Sequence, residues 1–317
     1  MKKLFQFILL SAALAVSSHA QTINQNFGTG ANAFTMDFVM IGNPGNAADT
    51  TGSPNPAGSV AYNYGLGKYE VSRDMVNKAN AEGGLGITLF DMTLLGGNGV
   101  NRPATGTTWY EAAKFVNWLN TSTGYVAAYK FDASGNFQLW SSTDAGYNAN
   151  NRFRNSNARY WLPSTDEWYK GAFGSPNGVW FDYPTGSNTI PTAVAGGTSA
   201  NTAVYSQTSS SGPADITNAG GLSAYGTMGQ GGNVLEYTET AYDGVNNFSS
   251  ENREVRGGYW TTTLPTASSG ARSATFPTGE QNNFGFRVAT VPEPSALSLL
   301  AIGLGGLVVL RRRYMTS

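Results

Sequence analysis

Whatever chemistry this chain performs must be done without sulfur nucleophiles and almost without imidazole. Its 317 residues include no cysteine and a single histidine, His19, placed at the end of an apolar N-terminal run. Once that run is removed as a leader, thiol nucleophiles, Ser-His-Asp triads and zinc, iron or copper sites built on thiolate or imidazole are excluded. What remains is oxygen: carboxylates, hydroxyls and backbone carbonyls, which suit hard cations such as calcium or magnesium. Hydroxyls are poor nucleophiles without a base, and no carboxylate pair with a recognisable acid–base spacing stands out. Three short stretches are the candidates for a site: Gly231–Thr238 (GGNVLEYT), Arg256–Trp260 (RGGYW) and Phe284–Ala289 (FGFRVA).

The elements that must carry these stretches are short. Thr108-Trp109-Tyr110-Glu111 reads as a capping box, followed by Trp109, Ala112, Ala113, Val116 and Leu119 at helical spacing. Ser164-Thr165-Asp166-Glu167 repeats the device ahead of Trp168 and Ala172. Ser72 can cap a third helix with Met75, Val76 and Ala79 on one face, stopped by Gly83 and Gly84. Asp37–Ile41 reads as the first strand, and Tyr62–Val71 as a strand entering the Ser72 helix. The long stretch from Gly174 to Gly226 lacks strong hydrophobic periods, so it is either functional or in need of pinning. Forty glycines would suggest disorder, but 7 Trp, 16 Tyr and 16 Phe give the chain material for a core. With a net charge of -1 and only 12% charged residues, it has no basic face for nucleic acid.

In their order, the three stretches resemble the core of the formylglycine-generating enzyme (sulfatase-modifying factor) family, whose usual form is G-N-V-W-E-W-T, R-G-G-S-W and G-F-R-V-A. Gly67–Ser72 (GKYEVS), Trp109–Ala113 (WYEAA) and Leu162–Trp168 (LPSTDEW) are also similar to that family. The resemblance implies an α+β fold: a single C-type-lectin-like domain rich in ordered loops, over residues 36–290. In the family's oxidases a cysteine pair after R-G-G-S-W holds copper. Here that stretch, Thr261–Ser268, carries hydroxyls and apolar groups, so no catalytic residue and no copper, iron or zinc is expected.

The resemblance also implies calcium, held by the backbone carbonyls of Gly232 and Val234 and the carboxylate of Glu236. Seven residues before that Glu the family usually has Asp or Asn, where this chain has Gly229, and Leu235 and Tyr237 replace the usual tryptophans. The alternative is that Glu236 is a buried carboxylate paired with an arginine such as Arg287.

Both ends look like addresses. Lys2 and Lys3, an apolar run to Val16 and the small residues Ser18 and Ala20 read as a signal peptide over 1–20, followed by a flexible arm over 21–35. Pro292-Glu293-Pro294, an apolar run from Ser295 to Leu310 and Arg311-Arg312-Arg313 are similar to the PEP-CTERM sorting signal of Gram-negative bacteria, spanning 291–317. That likeness implies processing by an exosortase after signal peptidase. The apolar run, about 24 Å long as a helix, is expected to act as a membrane helix and transient inner-membrane anchor. Export leader, sorting tail and absent redox ligands together predict a non-catalytic domain, a binding or a purely structural module, displayed at the cell surface or in the biofilm matrix. Polysaccharide or a surface protein would be its ligand, with Trp140, Trp180 or Tyr183 either stacking on sugars or belonging to the core. The alternative is an enzyme of the family using a non-standard site.

Overall fold

A computed structural model describes residues 22–292. The leader, and the sorting residues Glu293, Pro294, Arg311, Arg312 and Arg313, lie outside the described residues. In chain order the regular elements are β1 (Thr22–Phe27), β2 (Phe34–Ile41), β3 (Tyr64–Gly67), α1 (Arg73–Gly83), α2 (Trp109–Ser122), β4 (Lys130–Phe131), β5 (Phe137–Gln138), β6 (Tyr160–Trp161), α3 (Thr165–Phe173), β7 (Thr192–Ala193), β8 (Thr202–Ala203), β9 (Leu235–Ala241), β10 (Arg253–Arg256), β11 (Ser273–Thr275), β12 (Phe284–Phe286) and β13 (Ala289–Thr290). The architecture is α+β.

Two sheets organise it. One has the strand order β1-β2-β3-β13-β6 and the other β11-β10-β9-β12. Neighbours in the first sheet are antiparallel, and β12 runs parallel to β9 in the second. The main core packs the inner face of β2 (Phe34, Met36, Phe38) against the buried stripe of α2 (Trp109, Ala112, Phe115, Val116, Leu119). Both capping boxes form. Thr108 Oγ1 accepts from the Glu111 N–H at 3.0 Å while Glu111 Oε2 accepts from the Thr108 N–H at 2.8 Å. The Ser164 and Glu167 bonds are 3.2 and 2.6 Å. Ser72 caps α1 through the Met75 N–H, and Gly84 ends it in the left-handed region.

Two expectations are corrected. The arm over 21–35 is not loose: Thr22–Phe27 is an edge strand paired residue for residue with β2. Its polar side chains conceal a period of two. Phe27 is buried against Phe34 and Tyr160, while Asn24 and Asn26 bond Asp37 and Thr35 across the pair at 2.6 and 2.7 Å. Second, among the described residues no helix is long and apolar enough to cross a membrane. The longest, α2, has 14 residues, about 21 Å against roughly 30 Å of hydrocarbon, and it is committed to the core. The expected C-terminal membrane helix falls outside the described residues, and anchoring through it is withdrawn.

The stretch between α3 and β9 is pinned by backbone bonds. Ser206 N–H donates to Thr262 O at 2.9 Å, Gln207 N–H to Trp260 O at 2.7 Å, and Asn233 N–H to Val204 O at 2.8 Å. A second apolar cluster, with Met92, Val204, Met228, Val234 and Trp260 at its centre, lies beneath it. This is how a segment without periodicity stays ordered: its backbone groups find partners on the GGNVLEYT and RGGYW stretches and on Thr262 just beyond.

Candidate functional site

β9 and the segment after β12 bring Glu236 and Arg287 together in the interior, both fully buried. Arg287 Nε donates to Glu236 Oε2 at 2.5 Å and Nη2 to Oε1 at 2.6 Å, a fork-on-fork pair. The Trp168 indole adds a bond to Oε2 at 2.7 Å. The remaining guanidinium hydrogens reach Gly67 O at 2.8 Å and Met228 O at 2.9 Å. The guanidinium thus ties β3 and β9, strands of the two sheets, to the G-N loop, residues 228–234 ahead of β9.

A second carboxylate, Glu70, lies beside this pair and accepts from Asn233 Nδ2 at 2.9 and 3.0 Å. Burial, and then the Glu236 charge, holds its carboxyl well above the usual carboxylate range, with Arg287 pulling the other way. Two carboxylates thus share one guanidinium in a dry interior, which disfavours the charged form of Glu70. Gly229 is explained here. A Cβ at that position would come within 2.9 Å of the Glu70 carboxylate, and the backbone there has φ +82°, so Asp or Asn would meet the side chain already present.

As arranged, Gly232, Val234 and Glu236 do not fit a calcium ion. Glu236, the one side-chain donor of the three, has both oxygens engaged by Arg287 and Trp168. A divalent cation wants six to eight oxygens, and here it would have to displace a guanidinium. Among the described residues no group of three His, Cys, Asp or Glu converges on a point. The arginine-pair alternative describes Glu236.

Glu70 gives a pH test. Its folded pKa lies above the ordinary 4.5, so its contribution to stability is complete below that value and is lost as pH rises towards the folded value. Glu70→Gln removes this loss. Urea unfolding from about pH 4 to about pH 8 should show the stability difference moving in the variant's favour with rising pH; a pH-independent difference would contradict the assignment.

The second part of the site is a cavity of about 320 Å³ beside the RGGYW turn, lined by Leu235, Val255, Arg256, Gly257, Gly258, Tyr259, Thr262, Thr266, Ala271, Arg272 and Ser273. The turn depends on Gly258, at φ +72°, where a Cβ would sit 2.8 Å from Thr266 Oγ1 and 3.0 Å from Thr262 Oγ1. Thr262 Oγ1 accepts from Tyr259 N–H at 3.0 Å and donates to Tyr259 O at 2.7 Å. Thr266 Oγ1 donates to Thr263 O at 2.9 Å.

On the charged wall, the buried Glu254 bridges Arg256 Nη1 and Arg272 Nη2, each at 2.7 Å. Arg256 also holds Ser53 O and Ser269 O at 2.7 and 3.1 Å, and burial lowers its pKa, an effect Glu254 offsets only in part. Arg272 lies over the Tyr242 ring at 4.0 Å. This wall is not identified by sequence reasoning. Its signal was the run Arg253-Glu254-Val255-Arg256: three charges in one four-residue strand of a charge-poor chain, all buried.

Other expected contributors lie elsewhere. Trp180 packs on Tyr169 at 5.5 Å, Trp140 donates to Ala128 O at 3.0 Å, and Tyr183 is half-buried; none of them lines the cavity. Pro292, at the start of the expected sorting motif, lines a different cavity of about 330 Å³ with Tyr62, Asn63, Arg154 and Trp161.

Comparison with known proteins places this geometry. The sulfatase-modifying factor enzyme 1-like domain family matches residues 45–291, and the PEP-CTERM protein-sorting motif matches residues 290–313. No curated protein matches the chain in sequence. Treponema denticola variable protein 1 is similar in structure with a TM-score of 0.61 and 18% identity, covering 85% of this chain and 99% of that one. CarF gives 0.57 and 16%, covering 81% and 99%. PvdO from Pseudomonas aeruginosa gives 0.51 and 18%, covering 84% and 98%. At these identities the likeness concerns the fold. The family match spans most of the chain and contains both the Glu236–Arg287 pair and the cavity: the chain belongs to the sulfatase-modifying factor enzyme 1-like domain family, and a PEP-CTERM sorting motif follows its domain.

Proposed function

We propose that this chain is a non-catalytic, exported member of the family, displayed at the cell surface, whose domain binds a ligand in the cavity beside Thr262 and Thr266. The observation that carries this reading is the make-up of that wall. Where the family's oxidases place a cysteine pair, this chain offers threonine hydroxyls, bare glycine backbone and a guanidinium pair sharing one carboxylate. Such groups hydrogen-bond and orient a ligand; they provide neither a redox ligand nor a nucleophile with its base. A cavity of about 320 Å³ is at the small end of ligand pockets. The sorting motif supports surface display through exosortase processing.

The test is direct. Purified protein supplied with copper(I) or iron(II) and offered cysteine peptides should consume no oxygen above a protein-free control. Steady, protein-dependent oxygen uptake would overturn the non-catalytic reading.

A further inference from the structure

Among the cavities and buried charge clusters, the one beside the RGGYW turn combines three kinds of unsatisfied surface. The first is charge. Two guanidiniums, Arg256 and Arg272, share the single carboxylate of Glu254, which leaves the wall with an excess positive charge. Asp166, whose carboxyl feels the Arg256 charge, does not line the cavity. Both arginines keep a buried Nε–H without a partner. Of the two, Arg272 is the accessible one, with its side chain 20% exposed.

The second is hydroxyl oxygen. The Thr262 and Thr266 protons are committed to the carbonyls of Tyr259 and Thr263, so their oxygens can serve a ligand as acceptors only, Thr262 Oγ1 with the one lone pair left after it takes the Tyr259 N–H. The third is apolar: Leu235, Val255 and Ala271, with the half-buried Tyr259 ring.

A ligand matching all three must carry an anion, hydroxyl donors and a C–H face within one small unit. A simple carboxylate or phosphate lacks the second and third, and a neutral sugar lacks the first. We propose, resting on the binding role assigned to this cavity above, that its ligand is a carboxylated sugar residue, a uronic acid unit of an acidic polysaccharide. The carboxylate pairs with Arg272, ring hydroxyls donate to Thr262 and Thr266, and the ring's C–H face lies on Tyr259 and Leu235. Arg256, held by two backbone carbonyls as well as Glu254, positions Glu254 and through it Arg272.

The experiment is a calorimetric titration of the full chain with a galacturonic acid tetramer, its methyl ester, and a neutral galactose tetramer. The acid tetramer should bind more tightly than the ester or the neutral tetramer by about tenfold or more, as expected for a charge-assisted bond, and its affinity should fall as salt is raised. Arg272→Met should erase that preference, while Thr262→Val weakens all sugars alike. Near-ultraviolet circular dichroism confirms that both variants are folded, and the ester comparison needs no variant. Equal binding of acid and ester overturns the uronate assignment; if Thr262→Val still weakens both, the cavity remains the binding site. Absence of binding by any of the three overturns the uronate assignment, and retained binding of a different ligand that is lost in Thr262→Val would then preserve the binding role alone.

Discussion

Arg287→Met should destabilise the domain by about 3–5 kcal/mol, because it strands the Glu236 carboxylate in the interior. The size follows from the surroundings. Glu236 is fully buried and takes two of its three bonds from Arg287, and the adjacent Glu70 can offer no positive charge. Gly67 O on β3 and Met228 O in the loop before β9 would also lose these donors, adding to the cost. Glu236→Gln in the Arg287→Met background should recover part of the loss, since the stranded charge is gone, giving a coupling of about 2–3 kcal/mol in a double-mutant cycle. Urea unfolding at neutral pH measures all four proteins. Additive losses would show that the pair does not hold the two sheets to the G-N loop.

Arg253→Ala should cost a similar amount for a different reason. This guanidinium lies 4.3 Å from the Trp109 ring centre and 4.1 Å from that of Phe153, and donates to Glu251 O at 2.6 Å and Ser249 O at 3.1 Å. Burial lowers its pKa to about 10, which leaves it charged at neutral pH. Truncation removes a cation between aromatic faces, opens a large cavity and takes the donor from Glu251 O, while Ser249 O keeps the Tyr110 hydroxyl at 3.0 Å; together these cost about 3–5 kcal/mol. Arg253→Lys should recover little of it, because an ammonium cannot stack as a plane or serve both carbonyls in a fork. The half-exposed Lys78–Asp74 pair, at 2.8 Å on α1, is the contrast: Lys78→Ala should change stability by less than about 0.5 kcal/mol. Denaturant unfolding followed by tryptophan fluorescence measures all three, and a loss at Arg253→Ala no larger than at Lys78→Ala would sink the argument.

What could be read from the sequence was local. The capping boxes at Thr108 and Ser164 involve residues three apart, and both formed as read. β1 escaped because Asn24 and Asn26 make a strand look like a linker until their partners on β2 are known. The pairing of Glu236 with Arg287 was legible as an alternative, since few charges were available to compensate a buried carboxylate. Why Gly229 departs from the family pattern was not legible: its cause is Glu70, a residue far away in the chain. The charged wall of the cavity was hidden for the same reason. Nothing in Arg253-Glu254-Val255-Arg256 says that Glu254 will meet Arg272 or that Arg253 will lie between Trp109 and Phe153. Buried polar networks are specified by contacts between distant segments, to which neither hydropathy nor periodicity is sensitive.

The position of β13 bears on how the molecule is made. Ala289 pairs with Leu66 on one side and Trp161 on the other, so the last strand of the domain is an inner strand of its sheet. A ribosome delivers the chain from its N-terminus, and until Thr290 emerges β3 and β6 are left as two open halves with a vacant lane between them. The keystone arrives with the first residue of the sorting motif. The sheet is therefore completed just as the first residue of the address emerges, and a chain cut short of Ala289 would lack both.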